Sequence, residues 1–138
     1  MSNLDNALTR ITEVALSPLT WTQASLTNAL SIDLSAAKST RTRECVAIAG
    51  AMFKGESDRF DLMLGLMPQQ SIFLIYENEF SLESLTLPSL FGAKARNEAS
   101  RDGKGYSLIF DLGTVISGAS ITRANNRVES IFCERRSG

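Results

Sequence analysis

Short runs that alternate apolar and polar residues, joined by connections of a few residues, constrain this chain more than any other feature. Phe60 to Met67 reads FDLMLGLM, with Phe60, Leu62, Leu64 and Leu66 on one parity. Side chains two apart on a strand share a face, so this pattern describes a half-buried strand. Ser71 to Glu77 (SIFLIYE) and Tyr106 to Leu112 (YSLIFDL) alternate in the same way, and Cys45 to Phe53 (CVAIAGAMF) is a further strand-like run. The turn-like segment Gly55 to Asp58 and the break at Pro68 separate the first three runs. Connections this short favour antiparallel hairpins over crossovers. Ser120–Arg123 and Val128–Glu134 flank Ala124-Asn125-Asn126, a good hairpin turn because Asn tolerates the left-handed conformation.

Helical spacing is confined to the start. Leu4, Leu8, Ile11 and Ala15 form one stripe and predict a helix over 2–16, capped by Ser2, favoured by Asp5 and stopped at Ser17-Pro18. A second helix is expected from Thr20, where Thr20 and Gln23 match a capping box and Ala24, Leu26 and Leu30 form the apolar side. Trp21 reads as core. Leu34 to Arg43 is small and polar and reads as a loop; Gly92 to Gly105 reads as a longer, mobile one.

The order of elements repeats. Phe80-Ser81-Leu82 parallels Leu19-Thr20-Trp21 sixty-one positions earlier, and Tyr106 to Leu112 lies against Cys45 to Ala51 at the same offset. Ser130-Ile131-Phe132 repeats Ser71-Ile72-Phe73 at an offset of fifty-nine. Pro88 would interrupt the helix of the second half. A length of 138 residues suits one domain. The expected fold is α+β: an antiparallel sheet of about six strands from two tandem αβββ units, residues 19–78 and 80–135, with an additional N-terminal helix.

Composition narrows the chemistry. The chain has no histidine, which removes the commonest general base and the commonest metal ligand. Its two cysteines, Cys45 and Cys133, lie far apart in apolar runs and read as buried thiols, so neither a metal nor a cofactor is expected. The segment GKG at 103–105 lacks the rest of a phosphate-binding loop. The paired carboxylates Asp58/Asp61, Glu77/Glu79 and Glu129/Glu134 read as solvated strand ends, and Arg135-Arg136 as a solvated tail. With 14 Lys and Arg against 15 Asp and Glu there is no basic field for nucleic acid. No run of about 18 apolar residues predicts a membrane span, and the start lacks the layout of a secretory signal. The expectation is a cytoplasmic protein without enzymatic activity.

The strand parity left over after the core is assigned carries the candidate site. Asp61 and Met63, then Phe73, Ile75 and Glu77, then Ile109 and Asp111 share that parity. The set is too apolar for open water, yet it holds three acids. Either the N-terminal helix or a loop covers this face, or it is a surface for a protein partner.

The order of a helix followed by antiparallel strands, repeated over roughly residues 19–135, resembles the secreted β-lactamase inhibitor proteins and the small outer-membrane lipoproteins of the barrel-assembly machinery. In size, acidic balance and lack of catalytic residues the chain also resembles bacterial immunity proteins that neutralise toxins. That resemblance implies occlusion of a toxin's active site, with acidic residues matching a basic one. A further resemblance is to type III secretion chaperones, which would imply binding of an unfolded effector segment; those usually end in a helix, whereas this chain ends in a strand-like run. A small-ligand-binding or His-independent enzyme module is the third class. The partner is therefore expected to be a protein, toxin or effector, and the pattern allows a homodimer.

Overall fold

The computed structural model describes residues 3–35, 37–42 and 44–136. Helix α1 (Asn3–Leu16) buries the stripe Leu4, Leu8, Ile11 and Ala15, together with Ala7 and Val14. Ser2, expected as its cap, lies outside the described residues. Helix α2 (Gln23–Ala29) begins two residues later than the spacing predicts. Its capping box is Thr22 with Ser25: Ser25 N–H donates to Thr22 Oγ1 at 3.0 Å and Thr22 N–H donates to Ser25 Oγ at 2.9 Å. Trp21 is drawn into the core ahead of the cap, and this moves the helix start.

Eleven strands follow: β1 (Ile32–Asp33), β2 (Lys38–Arg41), β3 (Cys45–Phe53), β4 (Phe60–Gly65), β5 (Gln70–Ser81), β6 (Ser89–Leu90), β7 (Ala93–Lys94), β8 (Arg96–Ala99), β9 (Gly105–Asp111), β10 (Val115–Thr122) and β11 (Arg127–Arg135). Nine of them form one antiparallel sheet, in which β1 and β2 both line β3 and the order continues β4-β5-β11-β10-β9-β8. β6 and β7 form a separate ribbon. The chain enters at one edge and reaches the centre with β5. It crosses by a 3-10 turn, Leu82–Ser84, and the ribbon to the far edge at β8, then returns to the centre as β11.

The sheet thus has nine strands where about six are expected from the sequence. The additional ones are short edge segments: β1 and β2 near or within the presumed loop 34–43, and β8 within the presumed loop 92–105. Where the tandem pattern calls for a helix in the second half, the chain makes only the 3-10 turn, followed by Leu85 in extended conformation and then Pro88.

One face of the sheet is packed. Val46 and Ile48, Phe60, Leu62 and Leu64, Ile72 and Leu74, Ala119, Ile121, Ile131 and Cys133 are buried there, and α1 lies across β10 and β11. The two polar side chains that α1 buries both have partners. The hydroxyls of Thr12 and Ser117 hydrogen-bond at 2.8 Å. The Asp5 carboxylate accepts from Thr86 N–H at 2.9 Å and from the Thr86 hydroxyl, which ties the helix to the crossover. Buried acceptors left unpaired would cost about 1–3 kcal/mol each, so these contacts make burial of α1 tolerable.

Arg135 is no solvated tail. Its Nε donates to Ala15 O at 2.9 Å, its Nη2 to Ser17 O at 2.6 Å and its Nη1 to Gln70 Oε1 at 3.1 Å, and the guanidinium lies 4.5 Å from the centre of the Trp21 ring. It closes the C-terminal end of α1, where unsatisfied carbonyls and the helix dipole favour a cation.

The two thiols part company. Cys133 is buried against α1, with Sγ 3.5 Å from Ile11 O, and burial pushes its pKa upward. Cys45, expected to be buried, is exposed because it opens β3 on the parity facing away from the helices. In the native protein a thiol-reactive reagent is expected to modify one cysteine quickly and the other only on unfolding. Peptide mapping that finds Cys133 labelled as fast as Cys45 would refute this placement of β11. No helix is long and apolar enough among the described residues to cross a membrane.

Candidate functional site

The strand registers bring all seven candidate residues to the sheet face opposite the helices. Asp61 pairs with Ile75 and Met63 with Phe73 between β4 and β5. Phe73 pairs with Phe132 between β5 and β11, Phe132 with Gly118 between β11 and β10, and Gly118 with Ile109 between β10 and β9. Asp111 pairs with Ile116. Direct pairs share a face, so these residues form a band across the sheet. Glu77 lies on the same parity of β5 as Phe73 and Ile75.

Neither helix covers this band. Ile75 is 43% exposed and Met63 38% exposed, and Phe73 is half-buried. The Phe73 and Phe132 rings stack at the centre, 5.5 Å apart with 23° between their planes. Ile109 differs: it lies on this face yet is only 8% exposed, set between Arg96 on β8 and Gly118 on β10. It therefore supports the face more than it presents itself.

The three acids are not equivalent. Asp61 Oδ1 accepts from Gly50 N–H at 3.4 Å, and Arg59 Nη1 donates to Gly50 O at 3.1 Å. The register of β3 slips between Ile48 and Ala51, and Gly50 sits in the slip with φ +74°. Asp61 thus has a structural task at a bulge. Asp111 accepts from Gly113 N–H at 3.0 Å and from Arg136 Nη2 at 2.8 Å. The Gly113 amide first, and the Arg136 cation after it, hold its carboxyl below the ordinary range. What that carboxylate adds to stability is present above its unfolded pKa and is lost as pH falls through the lower folded value. Glu77 is exposed.

Two further acids belong to the face, Glu129 and Glu134. Between Val128 and Ser130 the register against β5 jumps from Phe80 to Ile75. This slip opens a groove of about 470 Å³ lined by Ile75, Glu77, Asn78, Arg127, Glu129 and Ser130. Beside it is a groove of about 640 Å³, lined by Glu129 together with Lys104, Tyr106, Ser107 and Arg123. Glu134 is opposite Ile116 and shares the parity of Phe132. Among the described residues no basic side chain pairs with Glu77, Glu129 or Glu134. Nor, among the described residues, do three Cys, Asp or Glu side chains gather closely enough to hold a metal ion.

Phe132 was legible in principle, because the repeated Ser-Ile-Phe marks it as the counterpart of Phe73. Glu129 was not, because the bulge that places it arises from pairing between distant strands. Compared with protein-family models, with curated proteins and with solved structures, the chain gives no match to any of them.

Proposed function

We propose that this chain binds another folded protein through its open sheet face and inhibits it, as an immunity protein occludes the active site of a bacterial toxin. One observation carries this reading: Met63 and Ile75 are exposed beside the half-buried Phe73, whose ring stacks on the buried Phe132, and three acids near them have no basic partner among the described residues. Apolar surface gains about 25 cal/mol per Å² when a partner removes it from water. Aromatic anchors at the centre of a patch carry most of such a binding energy. Central, fully paired strands present these anchors already ordered, which lowers the entropy cost of binding. Glu77, Glu129 and Glu134 would steer a basic partner and select it over acidic ones. The activity is binding alone, without catalysis or cofactor, in a bacterial cytoplasm.

The two halves, in this reading, are copies of one unit whose strands meet at the centre. The direct pairing of Phe73 with Phe132 supports it, since these residues end the repeated Ser-Ile-Phe and the flanking pairs Ile72–Cys133 and Leu74–Ile131 are arranged about them. An experimental structure in which residues 38–81 and 96–135 fail to superpose would set the duplication aside.

The test is a basic, toxin-like enzyme encoded next to this chain. Equimolar chain is expected to abolish its activity. Phe73→Ala should weaken binding by about 1–2 kcal/mol or more, read by calorimetry, while melting changes little. Glu77→Lys should slow association and flatten its salt dependence; Asp61 is a poorer choice because of its bulge contact. An enzyme that stays active at saturating chain sinks the reading. A partner bound only as an unfolded segment would replace it by the secretion-chaperone reading.

A further inference from the structure

The two ends of the sheet are edge strands exposed at all four of their positions, β2 at one end and β8 at the other. An open edge is a template for pairing with another chain, and charges are the usual guard against it. The two edges carry charge differently. β2 reads Lys38-Ser39-Thr40-Arg41. Antiparallel pairing of two copies about its centre sets Lys38 opposite Arg41 of the second copy, and like charges directly opposite destabilise a pair. β8 reads Arg96-Asn97-Glu98-Ala99. Antiparallel pairing about Asn97 sets Arg96 opposite Glu98 of the second copy, and Glu98 opposite its Arg96. The small Ala95 and Ala99 meet on the other parity. Within one chain Arg96 and Glu98 approach only to 3.9 Å and remain 58% and 66% exposed. Such a surface pair contributes little and leaves both groups open to other partners.

We propose that β8 is a self-pairing edge, through which two copies of this chain join antiparallel about Asn97 and continue one sheet across a two-fold axis. The contact is isologous, so it closes at two copies and does not propagate. The four residues of β2 carry cations only, so no antiparallel register of two copies gives that edge opposite charges across the axis. A four-residue pair covers far less than the roughly 1,200–2,000 Å² of a stable interface. The dimer is therefore weak and concentration-dependent. It does not rest on the open-face reading.

Sedimentation equilibrium from micromolar to millimolar protein tests it. The mass average should rise from 15.0 kDa towards that of a dimer. Glu98→Arg sets like charges across the axis and should hold the protein at monomer mass over the whole range. Adding Arg96→Glu restores opposite charges and should restore the rise; it also controls for misfolding. Ile75→Asp, on the open face, should leave the rise unchanged. A mass fixed at 15.0 kDa throughout, a Glu98→Arg variant that dimerises like the parent, a swapped variant that does not recover, or loss of the dimer on Ile75→Asp each overturns the proposal.

Discussion

Replacing Gly118 by alanine is expected to cost about 3 kcal/mol, the upper end of what overpacking a folded interior usually costs. Gly118 sits in the middle of β10 with β9 on one side and β11 on the other. A Cβ there would lie 1.9 Å from the carbonyl oxygen of Leu108 and 3.2 Å from Cζ of Phe132. The first of these is backbone in a paired strand and cannot move without breaking the β9–β10 ladder. The second is the ring that covers the glycine and stacks on Phe73, so the substitution also disturbs the centre of the open face. Against a domain stability of roughly 5–15 kcal/mol, a loss of this size should lower the melting temperature by about 10 °C. Gly103 is the control. It has φ +71° but open space around its Cβ position, so Gly103→Ala should cost only the strain of a left-handed residue, about 1 kcal/mol. Urea unfolding of both variants distinguishes them. Equal midpoints would mean that the β9–β10 spacing is wrong.

The second large effect is expected at Arg135. Arg135→Met keeps much of the side-chain bulk and removes the cation from Ala15 O, Ser17 O and the Trp21 ring together. Hydrogen bonds to charged groups are worth about 1.5–3 kcal/mol, and a cation at a helix C-terminus up to about 2 kcal/mol in partly buried geometry. These contributions overlap, and a loss of about 2–4 kcal/mol follows. Arg135→Lys should recover only part of it, because an ammonium cannot donate in a fork to two carbonyls while lying flat on an indole. Trp21 supplies a local readout, since its buried fluorescence should shift to the red as the end of α1 loosens. A methionine variant as stable as the parent would mean that α1 is held by its apolar stripe alone.

How far the sequence could be read depended on whether the deciding interaction was local. The parity of β4, β5 and β9 is set by neighbours two residues apart, and it put Asp61, Met63, Phe73, Ile75, Glu77, Ile109 and Asp111 on one face. The sixty-one-residue offset shows how narrow that margin is. It sets Val46, on the helix face, against Ser107, on the open face, and a slip of one residue turns every side chain over. Edge strands β2 and β8 carry no local signal: Lys38–Arg41 is polar throughout, Arg96–Ala99 has Ala99 as its one apolar residue, and both become strands because β3 and β9 offer unpaired backbone.

By itself, then, the sequence determined the α+β class, the stripe of α1, the alternation of the central strands and the composition of the open face, because periodicity along the chain encodes which side chains share a side. Only the tertiary structure decided that α1 lies on the helix face and leaves Ile75 and Met63 uncovered, that Arg135 closes a helix almost the whole chain away, and that Asp61 and Asp111 are engaged while Glu77 and Glu129 are exposed. Those outcomes are fixed by contacts between residues from 11 to 120 positions apart. No local pattern specifies such contacts, since each depends on which strands become neighbours when the sheet closes around its core.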